Sequence, residues 1–167
     1  MRPDQILESV KNDLDAWAAA LTGAKARISV AKDPWNALEL LVQGPAGLIV
    51  VIHWAGDEGN GRTGDPKADN VLEVIVGYNL GLTLPLDQAL FKSTVDRPSL
   101  LKYVNDVRAR LLTIQFPADE TIQTTFYAGC EPVVAPQGIP LAAYRIRARL
   151  DAIVETEEDM RPAVYTA

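Results

Sequence analysis

The sequence predicts an α+β domain (α/β, two-layer) with a mixed, mainly antiparallel sheet of about four to five strands. An N-terminal helix and a second helix near 98–113 are expected to pack against this sheet. Three patterns predict this class: helical spacing of apolar residues in both helices, a β-branched apolar run at 48–54, and strict alternation at 142–155. A chain of 167 residues is long enough for one domain with its own hydrophobic core.

The N-terminal helix is predicted from apolar residues that recur at helical spacing, namely Ile6, Leu7, Val10, Leu14, Trp17 and Leu21. Residues 26–31 then alternate as a short strand. Asp33 followed by Pro34 is a helix-start signal, because aspartate caps the free N–H groups and proline fits the first turn. The short apolar stretch after it is interpreted as a helix, and a strand over 38–43 stays open as the alternative.

The centre of the chain predicts a hairpin. Residues 48–54 are apolar almost throughout, which is typical of a strand buried on both faces. Residues 56–66 contain four glycines and one proline, so we expect a flexible polar loop there. Alternation resumes at 71–80, which predicts an antiparallel partner for the first strand.

The C-terminal part predicts a helix and two strands. Pro98 begins the strongest helical pattern, whose apolar side comprises Leu100, Leu101, Val104, Val107, Leu111 and Leu112. Asp106 and Arg110 are spaced for an ion pair on that helix. Residues 122–128 and 142–155 are predicted as the last two strands.

These elements are assigned to one domain over residues 1–156. The remaining residues, 157–167, begin with an acidic run and are expected to fray. No internal repeat or linker divides the chain.

Composition argues against several classes of function. The 16 basic and 22 acidic residues give a net charge of −6, which disfavours a general nucleic-acid binder. The single cysteine, Cys130, excludes an intrachain disulfide and favours a reducing compartment. The N-terminal residues lack the apolar region of a signal peptide, and the longest apolar run is too short to span a bilayer. We therefore expect an intracellular protein without a membrane partner.

Gly59, Gly61 and Gly64 match the dinucleotide-binding string, but the chemistry of that motif requires a helix directly after the glycines. Here a strand is predicted near Val71 instead. The same loop could offer Asp57, Asn60 and Asp65 to Ca²⁺, but glycines occupy positions where an EF-hand needs side-chain oxygens. The sequence therefore predicts no cofactor and no metal site.

His53 is the only histidine, and Cys130 is the only thiol that it could activate. No local signature of a cysteine hydrolase surrounds Cys130, and a lone histidine in an apolar strand is usually a hydrogen-bonded core residue. The expectation is that the chain is not an enzyme and has no catalytic residues. A small enzyme that uses His53 and Cys130 is the remaining alternative of that class.

Arg145, Arg147 and Arg149 form a basic stripe on one side of the last strand. Three interpretations stay open: a solvated or helix-covered face paired with acidic neighbours, a protein interface, and a nucleic-acid contact.

The most informative motifs lie between residues 98 and 150. They are Arg108-Ala109-Arg110-Leu111-Leu112, then Phe126-Tyr127-x-Gly129-x-Glu131-Pro132, then Pro136-x-Gly138-x-Pro140-Leu141-x-x-Tyr144-x-Ile146. This order of helix, strand, proline-rich bend and long final strand resembles the tail terminator (tail-completion) proteins of tailed bacteriophages and related tail-like particles.

The resemblance implies a structural virion protein without catalytic residues. It would form a homo-oligomeric ring, typically a hexamer, that caps the tail tube and offers a face to the neck or head-completion protein. Genomic DNA would only pass through the ring. The expected location is the head-proximal end of the virion tail, after assembly in the host cytoplasm. Another head–tail joining or adaptor protein is the alternative of the same class.

The candidate residues for an interface with a second copy or a partner combine the central loop with the basic stripe. They are Asp57, Glu58, Arg62, Asp65, Arg145, Arg147 and Arg149.

Overall fold

The computed structural model describes residues 3–21, 26–43, 47–59, 67–79, 86–93, 98–114, 116, 122–135 and 137–153. In these ranges the predicted α+β fold is confirmed, with four helices and five strands. In chain order they are α1 (Pro3–Ala20), β1 (Ala26–Ala31), α2 (Pro34–Val42), β2 (Gly47–Gly59), β3 (Lys67–Asn79), α3 (Leu86–Phe91), α4 (Leu100–Thr113), β4 (Ile122–Pro132) and β5 (Leu141–Ile153).

The five strands form one sheet in the order β1-β2-β3-β5-β4. β1 and β2 are parallel, and α2 provides the crossover that a parallel pair requires. All other neighbours are antiparallel, including the predicted hairpin of β2 and β3. β1 and β4 are therefore the two edges of the described sheet.

α1, α3 and α4 cover one side of the sheet, called the first face below. Alternate strand residues point into this layer, among them Leu48, Val50, Ile52, Leu72, Val74, Val76, Ile146 and Leu150. From α4 the core takes Tyr103 rather than the predicted Leu112, which is exposed. Tyr103 shares the helical stripe of Leu100 and Val107, whereas Leu112 lies beyond its border.

α2 packs on the opposite side, called the second face, where it covers Ile49, Val51 and Ile75 with its own Ala37 and Leu41. Its start agrees with the prediction: Asp33 Oδ1 accepts a hydrogen bond from the Asn36 backbone N–H at 2.7 Å. The alternative strand over 38–43 is wrong.

α2 approaches the sheet closely because β3 carries a glycine beneath it. A Cβ atom added to Gly77 would lie 2.7 Å from Leu41 Cδ2, which is closer than carbon atoms can pack. The absence of a side chain at this position therefore sets the depth at which α2 packs.

The predicted start of the loop at residue 56 is wrong. Residues 56–59 continue β2 and pair with 68–71 of β3. The ladder continues because Gly56 adopts a positive φ of 113° at a bulge, a conformation that glycine tolerates. Residues 60–66 lie outside the described residues.

Other boundaries also shift. β4 runs to Pro132 rather than ending at 128, and α4 begins at Leu100 with Ser99 as its N-cap, accepting from the Lys102 backbone N–H. The short helix α3 was not predicted.

The predicted pair of Arg110 with Asp106 is replaced by a contact of Arg110 with Asp13 of α1, at 3.2 Å. The predicted tail over 157–167 lies outside the described residues.

Candidate interaction surface

The edge strand β4 exposes side chains on both of its faces. Phe126 on the second face is 52% exposed, and Tyr127 on the first face is also exposed. Arg108 of α4 lies over the Tyr127 ring, with its guanidinium carbon 5.6 Å from the ring centroid. An edge strand also presents backbone groups that another chain can pair with. β4 thus combines an open sheet edge with exposed aromatic side chains.

A bulge in β4 decides which of its residues share a face. The pairing register shifts between Tyr127 and Gly129, and Gly129 has a positive φ of 139°. Beyond the shift, Glu131 pairs with Arg145, and before it Phe126 pairs with Arg149. Since paired residues in antiparallel strands point to the same side, the bulge brings Phe126 and Glu131 together on the second face.

A cluster of charged residues occupies the second face beside α2. It consists of His53, Glu73, Arg145 and Arg147 and is called the charged cluster below. His53, Glu73 and Arg147 are direct cross-strand neighbours on β2, β3 and β5. Arg147 Nε donates a hydrogen bond to Glu73 Oε1 at 2.8 Å.

The second carboxylate oxygen of Glu73 has two nitrogen atoms nearby and forms a hydrogen bond with neither. His53 Nδ1 and Arg145 Nε each lie 3.6 Å from Glu73 Oε2. Both nitrogen atoms are buried and find no hydrogen-bond partner among the described residues. Arg145 Nη1 also donates a hydrogen bond to Glu131 Oε1 at 3.4 Å. Two arginines therefore offset the charge of a buried carboxylate, and one of them reaches a second, exposed carboxylate.

An apolar pocket of about 350 Å³ adjoins the charged cluster. It lies between α2 and residues 131–134, and Arg145 and Glu131 form its polar border. Its apolar walls come from Pro34, Trp35, Leu38, Leu41, Ile75, Pro132, Val133 and Val134. Trp35 and Val134 are largely exposed, so the pocket opens to solvent beside them.

The structure brings together only part of the predicted interface. Arg145, Arg147 and Arg149 lie on the second face of β5, as the alternation predicted. Asp57 and Glu58 belong to β2 and pair with Asn70 and Asp69, but their side chains are not described. Arg62 and Asp65 lie outside the described residues.

Sequence reasoning missed the carboxylates that partner the arginines. Glu73 is a charged residue within an otherwise apolar strand, and that interruption was the available signal. Its partners lie on β5, about 70 residues further along the chain, so only the strand register reveals the contact. Glu131 lies beyond residue 128, the predicted end of β4, so its pairing with Arg145 was not predicted.

His53 and Cys130 do not form a nucleophile–base pair. His53 lies on the second face of β2, whereas Cys130 pairs with Ile146 and shares its first face. Two strands separate them in the sheet. Burial raises the pKa of the Cys130 thiol, as does nearby Glu131, while Arg108 lowers it. The thiol is therefore not poised as a thiolate.

In the described ranges, no group of three or more His, Cys, Asp or Glu residues could hold a metal ion. None of the helices in the part that the structure describes is long and apolar enough to cross a membrane. Neither a protein-family model nor a curated protein matches the chain.

Proposed function

We propose that this chain is a structural protein that assembles with copies of itself through the β4 edge, and that the assembly is the ring of a phage tail terminator. The observation that carries the assembly proposal is β4 itself: eleven residues long, at an edge of the sheet, with aromatic side chains exposed on both faces. The resemblance stated for residues 98–150 supports the narrower assignment to a tail.

An edge of this kind favours association for two physical reasons. Its outward backbone groups gain hydrogen bonds when another strand or loop covers them. Phe126 and Tyr127 are 52% and 44% exposed, so about half of the roughly 150–250 Å² of an aromatic side chain is still available to a contact. At about 25 cal/mol per Å², burying it contributes about 2–3 kcal/mol per side chain. A monomeric protein usually protects such an edge with short strands, lysines, prolines, β-bulges or a covering element. β4 has a bulge at Gly129 and ends at Pro132, yet it is eleven residues long. Among the described residues β4 has no element beyond it in the sheet.

A ring requires two unlike patches on each subunit. The two edges of the sheet meet that requirement because they differ in length and in composition: β1 has six residues and β4 has eleven. A contact from the β4 edge to a different patch on the next copy is heterologous and closes into a ring when the rotation is right. The net charge of −6 also suits a passage that DNA must leave again.

In this proposal the ring lies at the head-proximal end of the virion tail. One of its sides contacts the tail tube protein, and the other receives the neck or head-completion protein. A head–tail joining or adaptor protein of the same class is the second candidate. The observation that favours it is the open apolar pocket beside Trp35, which could receive a side chain of a different protein.

The mass of the purified full chain in solution tests the proposal. We expect multi-angle light scattering to give a closed oligomer of about six subunits and negative-stain images to show rings. A chain that stays monomeric at every concentration, or that grows into open filaments, would contradict the ring.

A further inference from the structure

The charged cluster places one carboxylate oxygen of Glu73 between two buried nitrogen atoms that it does not bind. Glu73 Oε1 is already taken by Arg147, while Oε2 lies 3.6 Å from both His53 Nδ1 and Arg145 Nε. Buried donors are almost always hydrogen-bonded in folded proteins. With two unpaired nitrogen atoms beside Glu73 Oε2, one added proton can decide which of them bonds to that oxygen.

The charge of His53 is the variable that decides between them. A histidine changes its charge between about pH 5 and pH 8, whereas arginine stays charged and the protein has no second histidine. Protonated His53 would add a third cation beside Glu73, next to Arg145 and Arg147. Cations that crowd around one buried carboxylate repel each other strongly, because little water is present to screen them.

Arg145 is the side chain that can move. The His53 side chain is 8% exposed and is held in the middle of β2, while Arg145 is 29% exposed and lies at the border of the pocket. Arg145 already has a second acceptor, since its Nη1 donates a hydrogen bond to Glu131 Oε1 at 3.4 Å. Arg147 already makes a short hydrogen bond to Glu73 and has less reason to move.

We propose that His53 is a proton-operated switch for Arg145. When the imidazole takes up a proton, His53 Nδ1–H binds Glu73 Oε2, and Arg145 moves away from Glu73 and pairs with Glu131 alone. When the proton leaves, Arg145 returns to Glu73.

The ion pairs at this site join His53, Glu73, Arg145, Arg147 and Glu131, while Arg149 lies further along the same face of β5. β3 contributes Glu73, β5 contributes Arg145 and Arg147, and β4 contributes Glu131. β1 places the apolar Ala31 opposite His53, and α2 packs its apolar residues beside the cluster.

The switch acts on the candidate interaction surface, because Arg145 and Glu131 both border the apolar pocket and Glu131 belongs to the β4 edge. Movement of Arg145 would change the polar border of the pocket and the exposed charge beside β4. An effect of pH on assembly rests on the proposed function, but the movement of Arg145 does not. The two can therefore fail separately.

Solution NMR of the full chain tests the switch, because the one imidazole can be assigned without ambiguity. The His53 ring and the Arg145 Nε–H group are followed between about pH 5 and pH 8. We expect the Arg145 signal to shift with the same midpoint as the imidazole. Arg110, which pairs with Asp13 on the helices of the first face, is the internal control and should stay constant. An imidazole that does not titrate, or an Arg145 signal that stays constant while it does, would overturn the proposal.

Two variants separate the switch from a general effect of pH. In His53→Gln the Arg145 signal should no longer change over this range, and a change that persists would overturn the proposal. Glu131→Gln keeps the buried residues intact, since Glu131 is exposed, and removes the negative charge with which Arg145 pairs there. Arg145 then has no second carboxylate to pair with, so its signal should change less between about pH 5 and pH 8 than in the unaltered chain. A change of undiminished size in Glu131→Gln would contradict the proposed movement.

Discussion

On the first face of β5, Ile146 and Leu150 are fully buried beneath the helices. On the second face of the same strand, Arg147 and Arg149 are exposed. The two faces are one residue apart along the same strand. The first face buries apolar area and should determine stability. The second face combines ionic contacts, an apolar pocket and an open edge, and is suited to recognition. A single alternating strand can therefore serve both stability and recognition, because its side chains point in opposite directions.

The largest expected effect comes from a cavity in the first face. Ile146→Ala should lower the free energy of unfolding by about 2–4 kcal/mol, because it removes buried methyl groups and leaves a void among neighbours that collapse only in part. Urea denaturation measures the change. Arg149→Ala, at an exposed position on the second face of the same strand, is the matched control, and we expect its loss to stay below that of Ile146→Ala. Equal losses would break the distinction between the two faces.

The part of the second face beneath α2 should behave like a core. Gly77→Ala places a methyl group against Leu41 and should cost about 2 kcal/mol through overpacking. The cost should shrink in a Leu41→Ala background, since the shortened side chain leaves room for the new methyl group. Denaturation of both single variants and the double variant gives the coupling energy. Independent, additive effects would contradict the close contact.

The charged cluster should matter most where it is buried. Glu73→Gln should cost about 1.5 kcal/mol, because Arg145 and Arg147 lose a charged acceptor whose side chain is only 6% exposed. Glu131 contacts the same Arg145 but is 58% exposed, so Glu131→Gln should change stability by less than about 1 kcal/mol. Thermal and urea unfolding of this pair compare the two carboxylates. A larger loss for Glu131→Gln would reverse our account of burial on the second face.

The smallest effect concerns a polar atom in the first face. Tyr103 contacts the rings of Trp17 and Tyr78, and its buried hydroxyl has no hydrogen-bond partner among the described residues. Tyr103→Phe should therefore stabilise the fold by up to about 1 kcal/mol, since it removes a polar group that burial leaves unsatisfied.

The same hydroxyl predicts a dependence on alkaline pH. Burial raises the pKa of Tyr103 from 10.0 to about 12, with smaller contributions from Tyr78 and Asp106. Because the pKa is higher in the folded state, Tyr103 of the unfolded chain ionises first as the pH rises. Ionisation therefore leaves the free energy of unfolding unchanged below pH 10 and lowers it as the pH rises from 10 toward 12. The difference between Tyr103→Phe and the unaltered chain should therefore grow across that interval. A constant difference would mean that Tyr103 ionises as readily in the folded chain as in the unfolded one.

Local patterns predicted most of the first face and little of the second. Helical spacing in α1 and α4 and alternation in β5 follow from burial on one side of each element, so the residues themselves report it. The contact of Glu73 with Arg147 depends on the register of β3 against β5, which no local window contains. The bulge at Gly129 reverses the alternation within β4, so the placement of Glu131 could not be read from spacing. The six-residue helix α3 is too short for a clear period.

The most direct test of the central claim compares two exposed phenylalanines. Phe126 is 52% exposed on the β4 edge, and Phe91 is 67% exposed at the end of α3. Each is changed to lysine in the full chain, and the mass in solution is measured by light scattering beside that of the unaltered chain. Our account predicts that Phe126→Lys stays monomeric, because the new charge lies opposite Arg149 at the proposed contact, while Phe91→Lys still assembles. Assembly of Phe126→Lys at the same concentration as the unaltered chain would contradict the account.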